Sequence, residues 1–360
     1  MSARTAGHWR MKLASRWYDA DDSLLPAHHH AAVLLDLLLA QGHNSHKVLK
    51  GTGLFEEDFH SGQVLISPNQ LLKLVANARR LDSDGELAFR WGAQLWPGHY
   101  GVCSSLLANA ANLQDALQLL CDYSRALSPL LAPRLIVDEQ FVYLQWLDSH
   151  GAGEELEFLV RAHMAGLSAM VRWLSGLQPG WQFLFAGAAP QDAASSQVYL
   201  GERCHYDAGI NLMLTSRAVL QQSWPRHVAL ARRTAEMEAL QQMGQQRWRG
   251  FPESVYRYLV QHIQRPLNLA LVAEAFAMSP ATLKRRLARQ GCHFQQLQDQ
   301  ARLHVGLYLL HVKGWNNEQV AQHLCFNDTT NFRRAFKRWC GLTPSDSRSR
   351  FVLPTLSLSA

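Results

Sequence analysis

Two clusters of arginine and lysine lie near the carboxyl end of the chain, each after a short polar run. Each cluster surrounds two large apolar residues four positions apart, Leu283 with Leu287 and Phe332 with Phe336. A helix that buries such a pair turns its basic residues toward solvent. Arginine and lysine reach guanine or phosphate oxygens, and short side chains at a helix start allow close approach to base edges. Each cluster therefore predicts a helix that enters the major groove of DNA.

Local signals predict a shorter helix and a turn before each basic helix, which makes two helix-turn-helix units. The predicted caps are Asn268 and Ser279 in the first unit and Asp328 in the second, with Pro280 at a first helical position and stops at Gly291 and Gly341. The second unit begins near Asn317 and turns through residues 325–328. The predicted inward positions are Leu271, Val272, Ala275, Phe276, Val320, Ala321 and Leu324.

Between the two units, residues 294–311 carry apolar side chains at near-helical spacing. These are Leu297, Ala301, Val305, Tyr308 and Leu309. At 1.5 Å per residue such a helix is roughly 27 Å long. It could hold two recognition helices about one DNA turn (~34 Å) apart, so one chain could read two adjacent segments of major groove.

The last hundred residues resemble the AraC/XylS family of bacterial transcription regulators. The resemblance rests on Ser279, Leu283, Arg285, Leu287, Gly291, Phe294, Leu297, Arg302, Leu309, Leu310, Val320, Ala321, Leu324, Phe326, Asp328, Asn331, Phe332, Arg334, Ala335, Phe336, Lys337, Gly341, Thr343, Pro344 and Arg348. It implies base contacts at Ala281, Lys284 and Arg285, and at Thr329, Thr330, Arg333 and Arg334. The DNA-binding surface that we expect also includes Ser279, Thr282, Arg289, Asp328, Asn331 and Lys337.

Three positions depart from the family pattern. Cys325 stands where a glycine is usual, so the turn has to form without an easy left-handed residue. Ala281 replaces a larger side chain, which limits readout there to a methyl contact or to none. Ser347 replaces an aromatic residue before Arg348, from which we expect a looser end of the domain.

The distribution of charge also favours a nucleic-acid partner. The chain of 360 residues has a formal net charge of +6. Residues 251–350 hold 14 Lys and Arg against 6 Asp and Glu, which leaves 21 against 23 from the totals of 35 and 29. The basic surplus therefore lies in the helix-turn-helix region, as DNA binding requires.

The sequence offers little support for catalysis or metal binding. The six cysteines are scattered without a Cys-x-x-Cys pair, which predicts reduced thiols rather than a zinc or disulfide framework. The run His28-His29-His30 has no evident partner ligand, and His43, His99, His163 and His205 are isolated. A DNA-repair methyl acceptor, an enzyme that shares this helix-turn-helix module, would need a cysteine cluster that the sequence lacks. We expect no cofactor and no metal.

The first part of the chain is predicted to be rich in helices, with a small sheet. Helices are predicted at 31–41, 67 onward, 104–110, 112–121, 154–175 and 217–246, a hairpin at 135–146, a strand at 181–185, and a surface turn leading to a short strand at 198–214. The tryptophans Trp91, Trp96, Trp146, Trp173 and Trp181 are expected in the core. Few short alternating strands are present, which argues against a jelly roll.

Residues 25–240 resemble the non-cupin, arabinose-binding-like domain attached to some members of the same family. The segments that carry this second resemblance are 99–123 and 200–212. Similar domains occur on regulators that respond to amino acids such as ornithine or to fatty-acid-derived signals. The fold class expected is mainly α with a small β component: an α+β effector and dimerisation domain, then an all-α double helix-turn-helix domain. The predicted boundaries are a lead-in at 1–24, the effector domain at 25–219, a helical linker at 220–251, the DNA-binding domain at 252–350 and a tail at 351–360.

These features predict a sequence-specific transcription regulator, an activator by family resemblance, under the control of a small-molecule effector. Its expected partners are double-stranded DNA, a second copy of the chain and, by the resemblance, RNA polymerase. Two alternatives remain: an effector-independent DNA-binding protein whose first domain serves only for assembly, and the DNA-repair methyl acceptor, which the missing cysteine cluster disfavours. The start of the chain lacks a signal-peptide pattern, and the apolar run 31–40 is short and contains Asp36, so we expect no membrane association and a cytoplasmic location.

Overall fold

A computed structural model describes residues 17–190, 193–243 and 248–350. Most of the predicted lead-in, up to residue 16, and the predicted tail at 351–360 lie outside the described residues. The described chain is mainly helical with one five-stranded sheet, in agreement with the expected fold class. No helix within it combines the length and the apolar character needed to cross a bilayer.

The N-terminal half contains eleven described helices and three two-residue strands that precede the main sheet. The helices are α1 (His30–Ala40), α2 (Ser45–Val48), α3 (Glu56–His60), α4 (Pro68–Leu81), α5 (Leu87–Leu95), α6 (Val102–Ala108), α7 (Leu113–Asp122), α8 (Ser124–Leu127), α9 (Leu156–Ser175), α10 (Ala193–Leu200) and α11 (Ala229–Met243). The strands are β1 (Trp17–Tyr18), β2 (Leu25–Pro26) and β3 (Leu65–Ile66). A 3₁₀ turn, Gly153–Glu155, leads into α9.

Side-chain caps start two of these helices where the sequence predicted them. The Ser67 hydroxyl accepts the Gln70 backbone N–H at 3.2 Å, and the Asn112 side chain accepts that of Asp115 at 2.9 Å. Each cap satisfies one of the backbone donors that a helix start leaves free.

Two glycines let α5 and α9 cross with their backbones in contact. A Cβ atom at Gly92 would lie 2.2 Å from the Ala162 carbonyl oxygen, and one at Gly166 would lie 2.6 Å from the Gly92 carbonyl oxygen. Only glycine fits such an approach. This helix pair is the centre of the N-terminal core.

The main sheet contains β4 (Leu131–Val137), β5 (Phe141–Asp148), β6 (Gln182–Leu184), β7 (Cys204–His205) and β8 (Leu212–Ser216). Its strand order is β4-β5-β8-β6-β7, antiparallel except for the β6–β7 pair. The predicted hairpin is β4–β5, in which Val137 pairs with Val142 and the Asp138 carboxylate accepts the N–H groups of Gln140 and Phe141.

The sheet is covered on both faces. Alternate residues of β5 and β8, such as Val142, Leu144 and Met213, pack into the N-terminal helices. The residues between them, including Tyr143 and Leu214, face the opposite way and form a separate cluster with Val312 of the C-terminal part of the chain. This period of two places the C-terminal domain on the outer face of the sheet.

Three sequence predictions for the N-terminal half were wrong in detail. Residues 198–200, predicted to begin a surface turn, are the end of α10, and α11 begins at Ala229, twelve residues after the predicted start. Leu220 and Trp224, placed in that helix, are instead buried in the N-terminal core. Trp173 is 51% exposed, and the guanidinium carbon of Arg226 lies 4.6 Å from the centre of its ring. The other four tryptophans that were expected in the core are buried. Within the predicted lead-in, β1 pairs in parallel with β9 (Arg249–Gly250).

The C-terminal domain is all-helical and contains both predicted helix-turn-helix units. Its helices are α12 (Phe251–Gln261), α13 (Leu269–Ala275), α14 (Pro280–Arg289), α15 (Phe294–His311), α16 (Asn317–His323), α17 (Thr329–Cys340) and α18 (Pro344–Arg350). Leu271 is 47% exposed, against the prediction, and Ala273 is buried in its place. Buried residues also lie on several sides of α15, whereas the sequence predicted a single buried stripe along it.

The two domains meet through a tight backbone contact and a buried polar group. Gly151, at φ +75°, approaches the Gln290 carbonyl so closely that a Cβ atom would lie 1.7 Å from its oxygen. Nearby, His304 Nδ1 of α15 lies 2.6 Å from Gln145 Nε2 of the sheet and 2.8 Å from the Tyr256 hydroxyl of α12. Burial lowers the pKa of His304 to about 3. The imidazole is therefore neutral, and the single lone pair on Nδ1 faces both donors.

The glycine contact predicts that Gly151→Ala will loosen the interface. Gly153 also has a positive φ, +55°, but nothing lies within 4 Å of a Cβ built there. Both alanine variants carry the conformational strain, and only the first adds the clash with Gln290. We expect Gly151→Ala to unfold at a lower denaturant concentration. Its free energy of unfolding should fall by about 1–3 kcal/mol more than that of Gly153→Ala. Equal losses in chemical denaturation would contradict the contact.

Candidate nucleic-acid interface

The first predicted recognition helix, α14, starts as the sequence indicated. The Ser279 hydroxyl accepts the Thr282 backbone N–H at 3.1 Å and lies 2.9 Å from the Thr282 hydroxyl, with Pro280 at the first helical position. Leu283 and Leu287 are fully buried. Ser279 and Thr282 therefore define the start of the helix, and their hydroxyls bond to each other.

Ala281, Lys284 and Arg285 form the exposed side of α14, which we call the first basic face. Among the described residues, no acidic side chain lies at ion-pair distance from Lys284 or Arg285. Arg289 is exposed too, but its guanidinium lies 3.2 Å from the Asp21 carboxylate. With both side chains more than half exposed, this pair contributes little stability and can exchange for another anion.

Arg286 is held by the N-terminal segment, a contact that sequence reasoning missed. Its Nε donates to Asp19 Oδ1 at 2.8 Å, its Nη2 pairs with Asp19 Oδ2, and its guanidinium lies 3.6 Å from the centre of the Trp17 ring. Asp19 also accepts from Gln290 Nε2 at 2.9 Å. The acidic run 19–22 indicates that this segment can form ion pairs, but its local pattern does not show which arginine it contacts.

The second recognition helix, α17, has an equally well-defined start. Asp328 accepts the Asn331 backbone N–H and its side-chain Nδ2, each at 2.7 Å. Phe332 and Phe336 are fully buried and Thr329 is half-buried. The exposed side, which we call the second basic face, consists of Thr330, Asn331, Arg333, Arg334 and Lys337.

The turn of each helix-turn-helix unit contains a residue other than glycine with a positive φ. Ala277 has φ +55° and Cys325 φ +59°, so each turn places an ordinary residue in the left-handed region. That conformation costs roughly 1–2 kcal/mol per residue, which the packing of the helices on both sides has to offset. The predicted loosening at Ser347 was wrong, because this residue is 1% exposed and its hydroxyl lies 2.8 Å from His311 Nε2.

Helix α15 joins the two units as one continuous rod of 18 residues. Leu297 and Ala301 near its start belong to the core of the first unit. Leu303, Leu307 and Leu310 farther along belong to the core of the second. Each unit is therefore fixed to one end of the same rod, as the sequence predicted.

The histidines predicted to be structural occupy packed or surface positions. His163 is buried against Trp96 and Trp146, its Nδ1–H donates to the Leu159 carbonyl at 2.7 Å, and burial lowers its pKa to about 4. His30 is buried, bonds to the Leu127 carbonyl at 3.1 Å and stacks on Tyr100. Within residues 17–190, 193–243 and 248–350, no three His, Cys, Asp or Glu side chains converge as metal ligands.

Comparison with known proteins identifies both domains. Residues 42–224 match the family model described as the arabinose-binding domain of AraC transcription regulators, N-terminal. Residues 272–350 match a helix-turn-helix domain. The first match covers half of the chain, and the second covers both basic faces.

Two individual relatives agree with these matches. The chain is 27% identical to the ornithine utilization regulator of Pseudomonas aeruginosa over 337 residues, 89% of this chain and 95% of that protein. It is 32% identical over 104 residues to the HTH-type transcriptional regulator AdiY of Escherichia coli, 28% of this chain and 41% of that protein. The crystal structure of the transcriptional regulator CdpR from Pseudomonas aeruginosa aligns over 89% of this chain and 97% of that one, at 19% identity and a TM-score of 0.40. Two capped basic helices on one rod, preceded by this N-terminal domain, are the architecture of the AraC family of transcription regulators, to which the chain belongs.

Proposed function

We propose that this regulator reads two adjacent segments of major groove with its two basic faces. The observation that carries the proposal is the exposure of Lys284, Arg285, Arg333 and Arg334 on two helices fixed to one rod. Ala281 offers a methyl group, and the Thr329 and Thr330 hydroxyls and the Asn331 amide lie at the start of α17. Ser279, Thr282 and Asp328 act by capping, and Arg289 and Lys337 reach phosphates.

The N-terminal domain supplies control in this proposal. A small-molecule effector, amino-acid or fatty-acid-like, shifts the DNA-binding state, and the regulator activates transcription through RNA polymerase. The name of the Pseudomonas relative links that protein to ornithine utilisation and supports a small-molecule signal. We infer a cytoplasmic location and a role in binding rather than catalysis. In the effector-independent alternative, no small molecule changes the affinity for DNA.

We further propose that the chain forms a homodimer through α11. Leu230, Met237 and Leu240 are 77%, 60% and 52% exposed, at spacings of seven and three residues. Ala235 and Ala239 on the opposite side of the helix are buried in the N-terminal core. An exposed apolar stripe with this spacing fits an identical helix from a second copy.

The proposal predicts that Arg285→Ala will weaken binding to the cognate DNA by about 1–3 kcal/mol and relax preference at one base pair, because a bidentate contact to guanine is lost. Binding is measured by fluorescence anisotropy on cognate and random duplexes at two salt concentrations, after the cognate site has been selected from genomic fragments. Arg172→Ala, which removes an exposed arginine from α9, is the charge-matched control. Equal weakening on cognate and random DNA would show a phosphate contact and remove Arg285 from base readout.

The dimer proposal predicts that Met237→Glu will give a monomer, since the charge interrupts the apolar stripe. Sedimentation equilibrium of the wild type should give twice the 40.6 kDa of one chain. Gln242→Glu adds the same charge elsewhere on the exposed part of α11 and should leave the dimer intact. A monomeric wild type at micromolar concentration, or equal dissociation in both variants, would disprove this interface.

A further inference from the structure

A cavity of about 220 Å³ lies between the outer face of the sheet and α15. The sheet side contributes Ile136, Leu184, Ile210 and Leu212, and the other wall contributes Val305 from α15 and Val312, which follows it. The cavity therefore has one wall in each domain. A molecule inside it would touch both the N-terminal sheet and the rod that carries the two recognition helices.

One end of the cavity is polar and positively charged. Arg134 Nη1 donates to Gln145 Oε1 at 3.3 Å, and Gln145 Nε2 lies 2.6 Å from His304 Nδ1. Arg134 also hydrogen-bonds the Tyr256 side chain. A guanidinium has five N–H donors, so these two bonds leave other donors free. Among the described residues, no carboxylate lies at ion-pair distance from Arg134, although the side chain is half-buried. A half-buried arginine without a counter-ion, at the edge of an apolar cavity, is suited to bind an anion.

We propose that this cavity is the effector site and that its ligand is a compact apolar monocarboxylate. The carboxylate binds Arg134, and the apolar part lies between the sheet and α15. This inference rests on the proposed function, since it names the site and the chemical class of the effector.

The volume limits the size of the ligand. A cavity of about 150 Å³ holds one benzene molecule, so about 220 Å³ suits a ring with a short substituent or a branched chain of similar size. A long fatty acid is too large for the cavity as it stands. The lining is mainly apolar, with Tyr308 and His311 as polar residues outside the Arg134–Gln145–His304 group, and it favours an aromatic or branched aliphatic body.

The charge of the lining excludes cationic ligands. The described residues around the cavity include no aspartate or glutamate. Asp138, which touches the lining residue Tyr143, already accepts the Tyr143 hydroxyl at 3.0 Å and the N–H groups of Gln140 and Phe141. A diamino acid would therefore leave its side-chain ammonium without a counter-ion, a large cost in an apolar site.

The position of the site implies a coupling between ligand and DNA. A ligand that contacts both domains stabilises their docked arrangement relative to a separated one. If DNA binding favours either arrangement, ligand changes DNA affinity by some factor, and DNA changes ligand affinity by the same factor.

The test is direct binding to the full-length protein without DNA, by calorimetry and thermal shift. The panel consists of isovalerate, hexanoate, benzoate and phenylacetate, with 2-phenylethanol and 2-phenylethylamine as neutral and cationic analogues and hexadecanoate as an overlong acid. We expect at least one of the small acids to bind one per chain and to raise the melting temperature, and the amine and the long acid to have no effect.

Two variants locate the site and one serves as control. Arg134→Met should weaken binding of that acid at least about tenfold by removing the charged hydrogen bonds. Ala208→Phe should fill the cavity and abolish binding, with folding verified by circular dichroism. Arg203→Met removes an exposed arginine elsewhere on the same domain and should bind normally. Absence of binding by every small acid, equal binding of the amine, or full binding by Arg134→Met would overturn the proposal.

The same samples separate this inference from the proposed function. DNA affinity of the wild type is measured with and without a saturating amount of the acid that binds. Loss of ligand binding with intact sequence-specific DNA binding would refute only the cavity proposal. Ligand binding with no specific DNA binding would refute only the assignment of the basic faces.

Discussion

The packing of α15 against two different partners determines how the rest of the molecule is arranged. One side of this helix completes the cores of both helix-turn-helix units, and another side faces the N-terminal sheet. Between the sheet, α15 and α12, His304 bonds to Gln145 of the sheet and to Tyr256 of α12. Such buried polar groups are costly without partners, so the network favours one docking orientation over others that an apolar surface alone would allow. The N-terminal sheet therefore lies directly against the helix to which both recognition helices are attached.

The basic surplus of the C-terminal domain serves two separate purposes. Arg285 points to solvent, while its neighbour Arg286 pairs with Asp19 and lies over Trp17. Arg289 pairs with Asp21, whose Oδ1 accepts the side-chain N–H of Asn69 on α4. A count of charges along the sequence therefore overstates what is available to DNA, because Arg286 holds the N-terminal segment in place, whereas the exposed Arg289–Asp21 pair can exchange for a phosphate.

Features with a local physical cause could be predicted from sequence, and long-range ones could not. The caps at Ser279 and Asp328, the buried Phe332 and Phe336, and the length of α15 follow from residues within one or two helical turns, and all were confirmed. The exposure of Leu271 could not be predicted, because a seven-residue helix has two nearly equivalent apolar sides and only its neighbours decide between them. The contacts of Trp17 and Asp19, and the cavity between sheet and rod, depend on how domains distant in sequence come together.

The pairing of β1 with β9 has a consequence for the order of events during synthesis. Tyr18 is synthesised 232 residues before its strand partner Gly250. At 5–20 residues per second, translation of that interval takes roughly 10–50 s. During this time Trp17 has neither Phe251 nor Arg286 to cover its ring. Pairing of β1 thus requires synthesis as far as Gly250, and cover of the Trp17 ring by Arg286 requires synthesis into the first helix-turn-helix unit.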